Sequence, residues 1–266
     1  LAGDAITRGG GNVALGKNAL SAVTTTSYNT AVGLDALAAT TGTGNIAVGQ
    51  GALQTNTSAS YNVGLGYSAL GNNTTGTDNV GVGYKALNAN TTATANTAVG
   101  DSALLLNTVG FSNTAVGAYA LDACTDGDDN TAIGYNALTA NTTAEDNTAV
   151  GSNALAANTT GTELVAVGTS AGTANTTGTR LTAIGFEAGK ANTTGTENTF
   201  IGRKAGLSNT TAANNTVVGS YAFAINTTGA SNVAVGKSAL AANTTASNNV
   251  AVGLSALESN TTGQYN

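Results

Sequence analysis

Apolar and polar positions along this chain recur with a single period. A short run Thr-Ala-Val-Gly, then Ala-Leu, then a polar stretch Asn-Thr-Thr-Gly-Thr return every 17 residues, with Asn147 to Glu163 as the template. Its first residue recurs at Asn12, Asn29, Asn45, Asn62, Asn79, Asn96, Asn113, Asn130, Asn147, Leu164, Leu181, Asn198, Asn215, Asn232 and Asn249, and the only interval that is not 17 is the 16 between Asn29 and Asn45. Such regularity predicts a solenoid, because one repeat cannot bury its own apolar face and must stack on its neighbours.

Positions within each repeat are numbered here from that first residue. Positions 2 to 5 alternate with a period of two, the signature of a strand, which places positions 2 and 4 on one face and position 3 on the other. Position 4 is Leu, Val or Ile throughout, as in Val116, Ile133 and Val150, and is expected to form the core of the coil. Position 3 is Ala or Gly except at Phe200 and Val217, and is expected to face outward. A small apolar outer column suits a surface covered by another chain. The expected interface therefore comprises Ala132, Ala149 and Ala166 with the neighbouring position-5 glycines Gly134, Gly151 and Gly168. Gly occupies position 5 in every repeat, which implies a positive φ or close approach of another backbone. Position 9 is Leu except at Gly172, Gly189, Gly206 and Phe223, in the same stretch as Phe200 and Val217, so columns 3 and 9 are expected to share a packing space.

The polar stretch is rich in turn formers, and stacked Asn and Thr side chains can bond from rung to rung. Eleven of the position-12 Asn residues, including Asn56, Asn73, Asn141 and Asn260, also fit the Asn-x-Ser/Thr pattern of glycosylation, a pattern that the repeat itself generates. The expected fold is an all-β parallel solenoid of about fifteen coils, with rungs ~4.8 Å apart and almost no α-helix. It reads as one continuous array over residues 1–266. Leu1 to Gly11 fits the second half of a repeat and Asn266 falls on the next first position, so the array is expected to be cut from a longer fibre.

Composition narrows the chemistry. The chain lacks His, Met, Pro and Trp, only 8% of its residues are charged, and its net charge of −6 offers no basic footprint for nucleic acid. No apolar run is long enough to cross a bilayer, so this segment is not expected to insert into a membrane. Catalysis needs titratable groups converging in a pocket, and the residue inventory predicts neither an enzyme nor an organic cofactor. The densest acidic stretch is Asp122, Asp126, Asp128 and Asp129 in one turn, read either as a solvated acidic turn or as an oxygen-rich metal site without the spacing of a full EF-hand loop. The single cysteine, Cys124, stands at position 12. It is either a tolerated small substitution or a site for a cross-chain disulfide.

The run Asn-Thr-Ala-Val-Gly-x-x-Ala-Leu, as at Asn113 to Leu121 and Asn130 to Leu138, resembles the repeats of YadA-like head domains in trimeric autotransporter adhesins and related phage tail-fibre proteins. The resemblance covers essentially the whole chain. It implies a left-handed parallel β-roll with three chains side by side, hence a homotrimer that is extracellular, on a cell surface or on a virion. This chain departs from the head domains in its longer period, the extra residues falling in the polar stretch.

Positions 6, 7 and 17 vary freely and are expected to face solvent. Tyr67 and Tyr84 share column 6 on successive coils and should stack; with Tyr135 they are candidate contacts for a glycan or receptor. The function expected is a rigid structural spacer in such a fibre that also offers a possible host-attachment surface. The alternative is a direct ligand-binding solenoid for glycan or ice using Thr, Asn and Tyr columns, with Thr-Gly-Thr in register at Thr75, Thr160, Thr177 and Thr194.

Overall fold

A computed structural model describes residues 1–266 as fifteen three-residue strands with no helix. Each strand is formed by positions 2 to 4 of one repeat. The chain falls into two compact units. Leu1–Asn130 carries β1 (Val13–Leu15) to β7 (Thr114–Val116), and Thr131–Asn266 carries β8 (Thr131–Ile133) to β15 (Val250–Val252). Within each unit consecutive strands pair in parallel with one repeat of offset, for example Ala98 opposite Ala115 and Ala149 opposite Ala166. Each repeat is thus one coil, and the architecture is a parallel β-solenoid. The 16-residue repeat keeps this register, with Thr30 opposite Ile46. Its missing residue falls in the outer turn, where Thr40 takes position 12 and Gly42 already supplies the carbonyl of position 15.

The alternation along the strand is as expected, but the two faces are exchanged. The position-3 residues Ala132, Ala149 and Ala166 are fully buried inside their coils, whereas Ile133 and Val167 at position 4 are 40% and 37% exposed. Alternation says that two faces differ; it does not say which is inside. In most coils the interior is already occupied by Leu at position 9, Ala at position 8 and Asn at positions 1 and 12, all buried, so a small side chain fills the space opposite them. The larger aliphatic column therefore stands outward.

The coil closes through four columns of positive φ. Position 5 has φ near that of Gly151, +134°, and a Cβ there would lie 2.6 Å from the carbonyl carbon and oxygen of Gly168 on the next rung. Both the torsion and the close approach demand glycine. Positions 7, 9 and 17 adopt the left-handed region with ordinary residues, as at Asn153 (+56°), Leu155 (+50°) and Glu163 (+59°). A bulky residue there is strained by about 1–2 kcal/mol. Bonds to neighbouring rungs hold it: the N–H of Asn153 donates to the Tyr135 carbonyl at 2.9 Å and that of Leu155 to the Ala171 carbonyl at 3.0 Å. Burial of the Leu side chain offsets the strain at position 9, since a buried Leu contributes about 1.5–3 kcal/mol.

Columns 3 and 9 do share one space. A Cβ on Gly189 would lie 2.7 Å from Cδ2 of Phe200, and Phe200 also fills the place of a side chain on Gly206. Phe200 itself is fully buried. A large residue in one column thus replaces the leucines of the other.

Asparagine carries the polar half of the interior. At position 1 the Oδ1 of Asn62 accepts the backbone N–H of Asn79 at 3.0 Å, while the Nδ2 of Asn79 donates to the Ala93 carbonyl at 2.8 Å. At position 12 the Nδ2 of Asn90 donates both to Oδ1 of Asn73 at 2.8 Å and to that same Ala93 carbonyl at 3.1 Å. The two columns converge on the outer turn and satisfy its backbone, as buried polar groups must. Position-13 threonines add a third column: Oγ1 of Thr74 donates to the Thr91 carbonyl and Oγ1 of Thr176 to that of Thr193.

Candidate functional surface

Two outer surfaces follow from this geometry. The first is the strand face, formed by positions 2 and 4. Thr or a β-branched aliphatic residue fills position 2 and Leu, Val or Ile position 4, so every coil presents apolar atoms outward; Ile46, Val48, Ile133, Val165, Val167, Ile184 and Val218 are all exposed. β-branched residues suit the extended backbone, which explains their choice, but do not require burial of that face. The second surface lies past the bend at Gly of position 5, where columns 6 and 7 project.

The six residues expected at an interface divide between these environments. Ala132, Ala149 and Ala166 are interior and cannot form a chain-chain contact without unfolding the coil. Gly134, Gly151 and Gly168 lie at the bend, packed against the backbone of the following rung. The outward column that the sequence reading placed inside, Ile133, Val150 and Val167, is the surface available for association. The signal that could have identified it is the pair of Asn columns. Two buried amide ladders and a leucine leave no volume for a further aliphatic row.

Column 6 holds the aromatic candidates. Tyr67 and Tyr84 stack with ring centroids 5.5 Å apart and planes 15° apart, and Lys85 Nζ lies 5.3 Å from the Tyr84 centroid. Tyr135 is likewise exposed, on a coil of the second unit. Neither the sequence pattern nor the single columns revealed the charge cluster beyond them. The carboxylate of Glu187 accepts from Lys190 Nζ at 2.6 Å and lies 3.4 Å from Lys204 Nζ. The hydrogen bond from Lys190 holds the Glu187 carboxyl below its ordinary pKa, aided by the positive charges of both lysines.

The acidic turn does not gather its carboxylates. Asp122, Asp126, Asp128 and Asp129 form no metal-holding group, and Asp128 Oδ1 instead accepts the N–H of Phe111 at 2.8 Å. Between them, Cys124 points inward and is fully buried. Burial raises its thiol pKa to about 11, so it is neither a reactive thiolate nor placed for a disulfide with another chain. It also stands in the position-12 ladder beyond Asn107, whose Oδ1 has no partner, as Asn141 Oδ1 has none. The glycosylation pattern meets the same geometry. Asn56, Asn73 and Asn141 are fully buried with their Nδ2 donating to carbonyls of their own turns, so the nitrogen a glycan would occupy faces the interior. No pocket opens in the surface of either unit. No protein-family model and no curated protein sequence matches the chain.

Proposed function

We propose that this chain is a structural segment of an extracellular fibre, of the phage tail-fibre or bacterial surface-adhesin kind, acting as a rigid spacer. Copies associate as a homotrimer through their strand faces. The observation that carries the reading is the outward position-4 column, aliphatic in all fifteen repeats. Within each unit this makes a contiguous apolar stripe, repeated rung after rung, which is characteristic of a surface covered by another protein. The resemblance of the repeat to YadA-like heads supports the same assembly. Interior columns are nearly constant while columns 6, 7 and 17 drift, which favours a role set by the number of coils rather than by one side chain.

Deletion of three whole repeats within the second unit, Asn147 to Glu197, tests the spacer role. It is expected to retain folding and to shorten the particle by ~14 Å at ~4.8 Å per rung, visible by electron microscopy or small-angle scattering. Deleting half a repeat instead places position-3 residues against turn residues and is expected to abolish folding. The exposed Tyr67–Tyr84 stack favours a second reading, a lateral ligand-binding surface. Under that reading Y67A/Y84A would abolish attachment while the whole-repeat deletion, which keeps both tyrosines, would shorten the particle and leave attachment intact, and that pair of results would overturn the spacer role. The Thr-Gly-Thr residues Thr75, Thr160, Thr177 and Thr194 at position 14 are exposed and belong to that second reading, whereas the position-13 hydroxyls bond from rung to rung.

A further inference from the structure

The charged side chains are distributed unevenly, and two cations are left without counter-charge. Between Asn198 and Leu257 the only charged residues are Arg203, Lys204 and Lys237, in a chain whose net charge is −6. Elsewhere in the second unit cations are paired: Arg180 with Glu197 at 2.6 Å and Lys190 with Glu187 at 2.6 Å. Lys204 shares Glu187 at 3.4 Å. Arg203 and Lys237 form no ion pair and are exposed. The guanidinium of Arg203 lies instead over the ring of Tyr221, 5.1 Å from its centroid, and Lys204 Nζ lies 5.8 Å from the same ring. That contact holds the Arg203 side chain in place without neutralising it.

Column 6 then presents, on four successive rungs, Phe186, Arg203, Ser220 and Lys237. Phe186 is 45% exposed. One rung is ~4.8 Å, so the two unpaired cations stand ~10 Å apart along a straight row, with a hydroxyl between them and an aromatic ring at one end. The row is turned away from the strand face by the position-5 bend, so it remains open when that face is covered. An aromatic face packs against the C–H face of a sugar ring, and cations at a fixed interval pair with carboxylates carried at intervals along a linear polymer. Nucleic acid is a poorer match, since its dense phosphates need a run of cations rather than two or three in an acidic chain.

We propose that the ridge Phe186, Arg203, Ser220 and Lys237, braced by Lys204 and Tyr221, binds an acidic polysaccharide of the uronic-acid type. The test is titration of the full chain with oligogalacturonate, with neutral dextran and an oligodeoxythymidine of equal charge as separate arms. Oligogalacturonate is expected to bind, dextran not to bind, and the oligodeoxythymidine to bind at least roughly tenfold more weakly. Exchanging R203Q and K237Q together is expected to weaken oligogalacturonate binding by roughly tenfold or more, as loss of charge-assisted bonds does. F186A should weaken it by a factor that raised salt does not change, and K17Q/K85Q, which removes two cations from the first unit, should leave it intact. Absence of oligogalacturonate binding, equal binding of the oligodeoxythymidine, or an unchanged affinity in R203Q/K237Q would each overturn the proposal. The spacer reading concerns length and is untouched by any of these outcomes.

Discussion

The coil that begins at Asn147 and the one that begins at Asn198 have the same backbone and opposite interiors. In the first, Ala149 sits opposite Leu155; in the second, Phe200 sits opposite Gly206. Position 9 keeps its left-handed torsion in both, +50° for Leu155 and +58° for Gly206, and in the next coil Phe223 returns to it at +54°. The backbone is therefore set by the rung-to-rung bonds and the position-5 glycine, while interior volume is exchanged among neighbouring coils, as at Gly172, whose side-chain space is met by Leu155 and Leu181, and at Val217 and Phe223, both buried in the coil after Gly206. The polar columns show the same freedom. Leu164 and Leu181 replace position-1 Asn without leaving an orphan at Asn147, whose Oδ1 accepts the backbone N–H of Leu164 at 3.1 Å. Cys124 replaces a position-12 Asn and offers no amide to Asn107 Oδ1, which is unpartnered; Asn141 Oδ1 is unpartnered too, although Asn158 stands on the next rung and turns its Nδ2 to the Gly161 carbonyl.

The largest effect expected in breaking this comparison is F200A, which empties a space that no neighbour can fill. It should cost about 3–5 kcal/mol in urea denaturation, and adding G206L should recover part of that by restoring the Ala-Leu arrangement of other coils. Next, G151A should cost about 3 kcal/mol, because its strain and its clash with Gly168 are independent of the interior exchange. If the backbone template is common to both kinds of coil, G202A should cost a similar amount. C124N should stabilise the chain by about 1 kcal/mol, read as a rise in the urea midpoint, since its Nδ2 supplies the donor that Asn107 Oδ1 lacks.

The smallest effect concerns Glu187. Its carboxyl is held below the ordinary value by Lys190 and Lys204, so its contribution to stability is present above the usual carboxylate range and is lost as pH falls through the depressed value. The difference between the wild-type chain and E187Q should accordingly be small at neutral pH and disappear in acid, followed by thermal denaturation across that range.

Much of this was legible in the sequence. Fifteen strands, their parallel order, the position-5 glycine, the Asn and Thr ladders, the Phe200–Gly206 exchange and the Tyr67–Tyr84 stack all follow from one period and the size of each column. The inside-outside assignment did not. Ala and Val at positions 3 and 4 were ranked by apolar bulk, whereas the side that fits is decided by what the rest of the coil already holds, namely two columns of asparagine that composition classes as surface residues. The left-handed torsion of Leu at position 9 was equally hidden, because intrinsic preference argues against it and only the rung-to-rung bond explains it. The outer chemistry was partly visible: single residues could be picked out, but the sharing of Glu187 by two lysines and the Arg203–Tyr221 contact depend on which rungs adjoin.

The aliphatic position-4 column faces outward, and under the proposed assembly it joins copies of the chain. Light scattering coupled to size exclusion, applied to the 25.6 kDa chain and to a variant carrying V150D, V167D and I184D, tests it most directly. The wild-type chain is expected to run at three times its own mass and the variant at one, with unchanged far-UV circular dichroism because these side chains lie outside the coil. A wild-type chain that stays monomeric at micromolar concentration, or a variant that unfolds instead of dissociating, would contradict it.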